Sequence, residues 1–314
     1  MNKRIAVIIA AVLVIAVTVC YFVNIDTEER VSVHASLLNT VHELATPTEW
    51  QKWHPVLHGH PTNDGSITVD SAAKSFTLRA GVRKVKVINH GLTFIVADTA
   101  NSHSSLYSYN ALPTLLDDST IILIVRQKKL LQALLPFLSN DRDEVTAVDS
   151  LKSFMETPAK FYGFDIERRN VVDTNVAMTT RTVNPANRFT AIDDMQKKLE
   201  TYITVNHLAV MQPPIVHYQP LSKDSLEIMM AIPVNRTAAP QNSIVSKRMP
   251  DGFMLVGYYK GNFEGRKALY KAMDRFVRDR GLHIIAINYE KYIDNTLPKN
   301  DSSAVELEVY YPIL

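Results

Sequence analysis

The sequence predicts an α+β protein with three regions: a helix that spans a membrane, a mixed domain, and a duplicated strand-helix-strand-strand unit. Three observations carry this: an uncharged apolar run over residues 5–23, alternating segments closed by helical spacing over residues 26–163, and self-similarity between residues 164–234 and 241–314. A chain of 314 residues holds about two domains with cores of their own. The formal net charge is +2 with acids and bases interspersed, so neither a nucleic-acid stripe nor a disordered acidic tail is indicated.

The apolar run is long enough, at about 1.5 Å per residue, to cross a hydrocarbon core of about 30 Å. Lys3 and Arg4 precede it, while Asp26, Glu28 and Glu29 follow with only Arg30 against them. The basic end is therefore expected in the cytoplasm and the bulk of the chain outside, in a single-pass arrangement. Val17 to Tyr21 offers no A-x-A cleavage pattern, so residues 1–25 read as a transmembrane anchor first, with a secretory signal second and lipidation at Cys20, which follows a bulky Val19, third. Cys20 is the only cysteine and lies within the run, which leaves no disulfide framework.

From Val31 the chain reads as a strand, then a Leu- and Val-rich helix, then a landing at Trp50, Trp53 and Pro55. Alternation predicts strands over residues 66–69, 75–80, 82–89, 92–97, 104–109 and 120–125. A closing helix follows, with Val145, Val148, Leu151, Phe154 and Met155 at helical spacing. With "TEWQKWHP" and "SLKSFMET" as carriers, residues 26–163 resemble the START-like, polyketide cyclase (SRPBCC) type of domain. The resemblance implies a helix-grip fold around an apolar ligand cavity.

Over residues 164–314 a pair of helices superposes at an offset of 74, matching Phe189 to Phe263, Met195 to Leu269, Leu199 to Met273, Tyr202 to Phe276, Leu208 to Leu282 and Tyr218 to Tyr292. The buried face is thus kept. Five further residues near "NTLPKND" then shift Pro233 onto Pro312 at an offset of 79, an insertion suited to a loop. A groove on a pseudo-dyad between the copies is expected.

Strand alternation from Ile284 puts Asn288, Glu290 and Tyr292 on one face and Ile285, Ile287, Tyr289 and Ile293 on the other, which reads as core. In the last strand Val305, Leu307, Val309 and Tyr311 take the helix-packed face, leaving Glu306, Glu308 and Tyr310 opposite. Glu290 corresponds to Val216, so the duplication supplies this carboxylate only once. A carboxylate among tyrosines is costly unless paired, and the expected partner is a cationic guest, with aromatic faces adding cation–π attraction. The bland alternative is a solvated glutamate paired with Lys291 or Lys260.

On "GYYKGNFEG", "YEKYIDN" and "LEVYYPI", residues 164–314 resemble the GyrI-like effector-binding domain of bacterial regulators. The resemblance implies that Glu290 is a pocket glutamate and Glu308 the acid of the terminal strand. Phe263 stands where the family carries a tyrosine. The expected ligand-binding set is Glu290, Tyr292, Asn288, Glu308, Tyr310, Tyr258, Tyr259, Phe263 and Tyr218.

His54, His58 and His60 cluster, but Pro55 and Gly59 break the helix that an i,i+4 zinc pair needs. No metal, cofactor or catalytic triad is expected, and no helix-turn-helix accompanies the effector module. The leading expectation is a membrane-anchored, extracytoplasmic sensor or scavenger of amphiphilic or cationic small molecules. A hydrolase or isomerase using Glu290 as base is the second reading, and a structural envelope protein with filled pockets and a paired Glu290 is the third.

Overall fold

The computed structural model describes residues 3–58, 66–100, 103–115, 118–134, 142–172, 175–249 and 251–314. They form two compact units, residues 1–157 and 158–314.

The first unit begins with α1 (Lys3–Phe22), a helix of 20 residues. Its described apolar side chains, among them Val14, Ile15, Val17, Val19 and Phe22, are exposed. Among the described residues no helix is long and apolar enough to cross a membrane. Next come β1 (Asn24–Val33), α2 (Leu37–Ala45), α3 (Pro47–Trp53), β2 (Ile67–Asp70), β3 (Ser75–Ala80), β4 (Arg83–His90), β5 (Thr93–Ala100), β6 (His103–Pro113), β7 (Thr120–Lys129), α4 (Leu130–Leu134) and α5 (Arg142–Glu156). The strands form one antiparallel sheet in the order β1-β7-β6-β5-β4-β3-β2. β1 extends well before Val31 because all ten of its residues pair with β7, a ladder that tolerates the polar "NIDTEER" on an edge.

Ser36 caps α2 by accepting from Asn39 N, and Thr46 ends it where Pro47 opens α3. Trp50 and Trp53, 4.7 Å apart between ring centres, are both buried, and Trp50 also meets Phe76 and Tyr109. These rings occupy the space between α3 and the sheet. Val148, Leu151, Phe154 and Met155 of α5 are buried too, and the side chain of Val145 lies outside the described residues. His54 is buried against Trp50, His58 is exposed, and His60 lies outside the described residues.

The second unit opens with a short α6 (Pro158–Phe161) and then repeats one plan twice. The first copy is β8 (Ile166–Val171), β9 (Asn175–Val183), α7 (Arg188–Val205), β10 (Ile215–Ser222) and β11 (Ser225–Val234). The second is β12 (Ile244–Arg248), β13 (Gly252–Asn262), a 3-10 turn (Glu264–Arg266), α8 (Lys267–Asp279), β14 (Tyr289–Tyr292) and β15 (Ala304–Pro312). One antiparallel sheet results, in the order β12-β9-β11-β10-β14-β15-β13-β8. Each copy therefore has one strand more than its periodicity shows, because β8 and β12 are short, charged edge strands with little alternation. Those two strands cross over: β8 pairs with β13 of the other copy, and β12 with β9.

α7 and α8 cover one face, where Met195, Leu199, Leu269 and Met273 share a core with Leu226, Ile228, Leu307 and Val309. α8 lies so close to β13 that a Cβ on Gly257 would stand 2.7 Å from Leu269 Cδ1. Only glycine permits that approach. Val305, Leu307, Val309 and Tyr311 take the helix-packed face as predicted.

The strand predicted from Ile284 starts only at Tyr289, and Ile285, Ile287 and Ile293 are exposed rather than core. The opposing strand ends in Pro312, which has no N–H to donate, so residues 284–288 are held mainly by an Ile284–Ile313 bridge and the Ile285 N–H on Pro312 O. The faces are also reversed. Glu290 and Tyr292 lie on the helix-packed side, and Tyr289 on the open side.

Candidate functional site

β10 and β14 meet through two residue pairs, Ile215 with Lys291 and Val216 with Glu290. Val216 and Glu290 are also repeat equivalents, since 216 + 74 = 290. The pseudo-dyad of the duplication therefore passes between them. Glu290 is 0 % exposed, yet its charge is met entirely from within the chain. Arg266 Nε donates to Oε1 at 2.6 Å, Tyr270 OH to Oε1 at 2.8 Å, and Tyr292 OH to Oε2 at 2.5 Å. Tyr218 OH lies 3.2 Å from Tyr292 OH, joining the equivalent tyrosines of the two copies.

Arg266 is itself enclosed. Its guanidinium carbon lies 3.4 Å from the Phe263 ring centre and 5.2 Å from that of Tyr218, and Nη1 donates to Phe263 O at 2.8 Å. Burial opposes the charge of Arg266, but the carboxylate of Glu290 outweighs it and holds the guanidinium pKa above its usual value. Burial, and then the same carboxylate, push the hydroxyls of Tyr270 and Tyr292 well above the usual 10.0. Tyr218 is pushed up for the same reasons. This carboxyl group accepts from three donors and is withdrawn from solvent. The cationic guest expected at Glu290 is thus corrected to an internal cation, Arg266.

On the other face of the sheet a second network surrounds Glu308. Arg169 Nη1 donates to Oε1 at 2.9 Å, Tyr310 OH to Oε2 at 2.6 Å, and Lys291 Nζ lies 3.4 Å from Oε2. Burial would raise the pKa of Glu308, but these hydrogen bonds and charges outweigh it and lower it. Tyr310 stacks on Tyr289 at 4.8 Å and 6°. Burial, with Glu308 next, lifts the Tyr289 hydroxyl to about 12.

Beside these stacked rings the open face forms a hollow of about 530 Å³ at the seam of the two copies. Ile215 and Ala231 line it with Met178, Met229, Met249 and Met254. Methionine side chains adapt to varied apolar shapes. A second hollow of about 320 Å³, bordered by Arg169 and Lys291, shares Ile215, Met249 and Tyr289 with the first.

The nine expected residues therefore divide between two faces. Glu290, Tyr292, Tyr218 and Phe263 come together on the helix side, and Glu308 and Tyr310 on the open side. Tyr259 is buried on the helix side, its hydroxyl donating to Asn262 O, away from Glu290. Tyr258 is exposed and donates to Glu306 at 2.7 Å, and Asn288 Oδ1 lies 3.2 Å from His217 Nδ1. Lys260 pairs with Glu306, and Lys291 with Glu308, so neither neutralises Glu290. Sequence reasoning missed Arg266 and Tyr270. The signal was present, since at the same offset they replace Ile192 and Gln196.

No family model matches the chain, and no curated protein matches it. Among solved structures, the EcmrR C-terminal domain is similar at 16% identity over 48% of this chain and 98% of its own, with a TM-score of 0.41. A hydrolase from Listeria innocua is similar at 12% identity over 48% and 92%, with a TM-score of 0.36. SAV2435 bound to tetraphenylphosphonium is similar at 10% identity over 48% and 94%, with a TM-score of 0.31.

Proposed function

We propose that residues 164–314 are a GyrI-like small-molecule-binding module whose ligand, an amphiphile, lies in the open-face hollow rather than against Glu290. The carrying observation is the hollow itself, about 530 Å³ with four methionines in its lining at the seam of the duplication. Its size falls in the range of about 300–1,000 Å³ usual for small-molecule sites, and its apolar lining with a few polar groups fits one. A purely structural protein predicts a paired Glu290, which is found, and filled hollows, which this one is not. Ala231→Trp places an indole on the floor of the hollow. Calorimetry with the full chain in phosphatidylcholine nanodiscs, blanked against empty discs, is expected to show decanol binding that this variant abolishes with little change in melting midpoint. Undiminished decanol binding by a folded Ala231→Trp chain overturns the assignment.

The same proposal places residues 5–23 in the cell membrane and both units outside the cytoplasm. Exposed Val14, Ile15, Val17, Val19 and Phe22 on α1 support it, because a solvated helix of that composition is costly. Lys3 and Arg4 before the helix and the acids after it support that orientation. Protease added to intact spheroplasts is expected to digest the chain beyond Val31. Full protection refutes that orientation.

A further inference from the structure

We infer that α4 (Leu130–Leu134) is a second membrane contact, a short apolar helix seated in the hydrocarbon of a phospholipid bilayer beside the end of α1. This inference rests on α1 lying in a membrane and adds a second point of insertion, from a separate part of the chain. The sheet supplies its first support. β1 leaves α1 and pairs with β7 so that Asn24 faces Lys129. The last residue of β7 therefore stands where α1 ends, and α4, which follows at once, leaves the sheet toward the side from which α1 entered it. The Leu130 N–H donates to Val23 O at 2.8 Å, and α4 packs against α1. Its five residues extend about 8 Å, so α4 reaches only the last turns of α1.

What covers α4 follows from its neighbour and its chemistry. Leu134 is 61 % exposed, and Val17, Val19, Tyr21 and Phe22 in the adjoining turns of α1 are exposed as well. The two helices thus present one apolar surface, continuous with the run of residues 5–23 that is long enough for a lipid core. Hydrocarbon around α1 extends to α4 without a break. The rim carries the residue types of a lipid–water boundary. Tyr21 meets Phe22 edge-on at 5.3 Å between ring centres, and Lys129 Nζ lies 5.7 Å from the Tyr21 ring centre. Tyrosine and lysine at this level anchor a span among head groups. The sequence between Lys129 and Asp141 carries no charge, a stretch too short to cross a core of about 30 Å and of the length of an interfacial segment. α5 then opens at Arg142 and buries Val148 and Leu151 in the first unit, so the chain returns to the side it left.

The test reads depth on the full chain in phosphatidylcholine nanodiscs, with Cys20→Ser as background and one environment-sensitive fluorophore on Leu134→Cys, Val19→Cys or Leu115→Cys. Leu115 is exposed and precedes Thr120, the end of β7 remote from Lys129, so it is the control held away from the bilayer. A nitroxide on the upper acyl chain is expected to quench the Leu134 label as strongly as the Val19 label and to leave the Leu115 label bright. Quenching at Val19 without quenching at Leu134 overturns the insertion of α4 while α1 stays in the membrane. A blue-shifted but unquenched Leu134 label overturns it too, and identifies protein, such as a second copy of the chain, as the cover. Equal quenching at Leu115 overturns it as a contact particular to α4. No quenching at Val19 or Leu134 overturns both readings. If Leu134→Cys does not fold, the unsubstituted chain in discs of phosphatidylcholine with a photoactivatable acyl chain is expected to carry lipid adducts within residues 130–134 as well as within α1. Adducts within α1 alone overturn the inference.

Discussion

The two copies of the second unit share one backbone plan and differ in how they fill the space beside the pseudo-dyad. The first copy presents Val216 and Ile192, both buried and apolar. At the equivalent positions the second presents Glu290 and Arg266, joined at 2.6 Å. The difference teaches why the acid occurs once. Val216 and Glu290 are direct cross-strand partners, so acids in both copies would face each other about 5 Å apart in a fully buried site. A position on the axis has room for one charge. The counter-charge then comes from the 3-10 turn that leads into α8 of the same copy.

The largest expected effect comes from erasing the asymmetry with charge. Val216→Glu sets two buried carboxylates against one guanidinium, and a loss above about 4 kcal/mol is expected, enough to unfold a marginal domain in a urea melt. Removing one partner is next. Glu290→Val or Arg266→Ile alone leaves a buried charge unpaired, and each is expected to cost about 3–5 kcal/mol by the same measurement.

Erasing the asymmetry without charge sharpens the comparison. Arg266→Ile with Glu290→Val gives the second copy the first copy's own pair, and the double variant is expected to lose less than either single one. The Tyr270 hydroxyl, left without its acceptor, limits the recovery by about 1–3 kcal/mol. A double variant as unstable as the sum of the singles would show that the pair is not one unit.

The smallest effect is on alkaline stability. Tyr270 and Tyr292 have folded pKa values raised above 10.0, and Tyr289 is raised to about 12. A raised pKa means that the folded state holds its proton longer, so this stability is complete below pH 10 and is lost as pH rises through the folded values, about 12 for Tyr289. Urea midpoints are expected to fall over that window, and less steeply in Tyr292→Phe.

Much of the scaffold was legible because duplication and periodicity both report burial. The match of Phe189 with Phe263 and of Tyr218 with Tyr292 located the helices and strands, and the rings do meet, Phe189 with Phe263 at 5.4 Å. The alternation of β15 also assigned its buried face. Alternation misled where a strand ended: "HIIAI" has the composition of a strand, but tertiary pairing rather than propensity fixed its start at Tyr289. That error reversed the face of Glu290. Arg266 stayed hidden for a different reason. A buried arginine in the turn before a helix looks like a solvated one until its repeat partner, Ile192, is seen to be core. The open-face methionines are spread over four separate segments, and no local pattern joins them.

The crossing of β8 and β12 has a mechanical consequence. Each copy gives away its first strand, so neither half can finish its own hydrogen-bonding edge, and the pair locks like clasped hands. A chain carrying one copy would be completed only by a twin. The joined unit is accordingly expected to melt in a single step, with no half surviving the other.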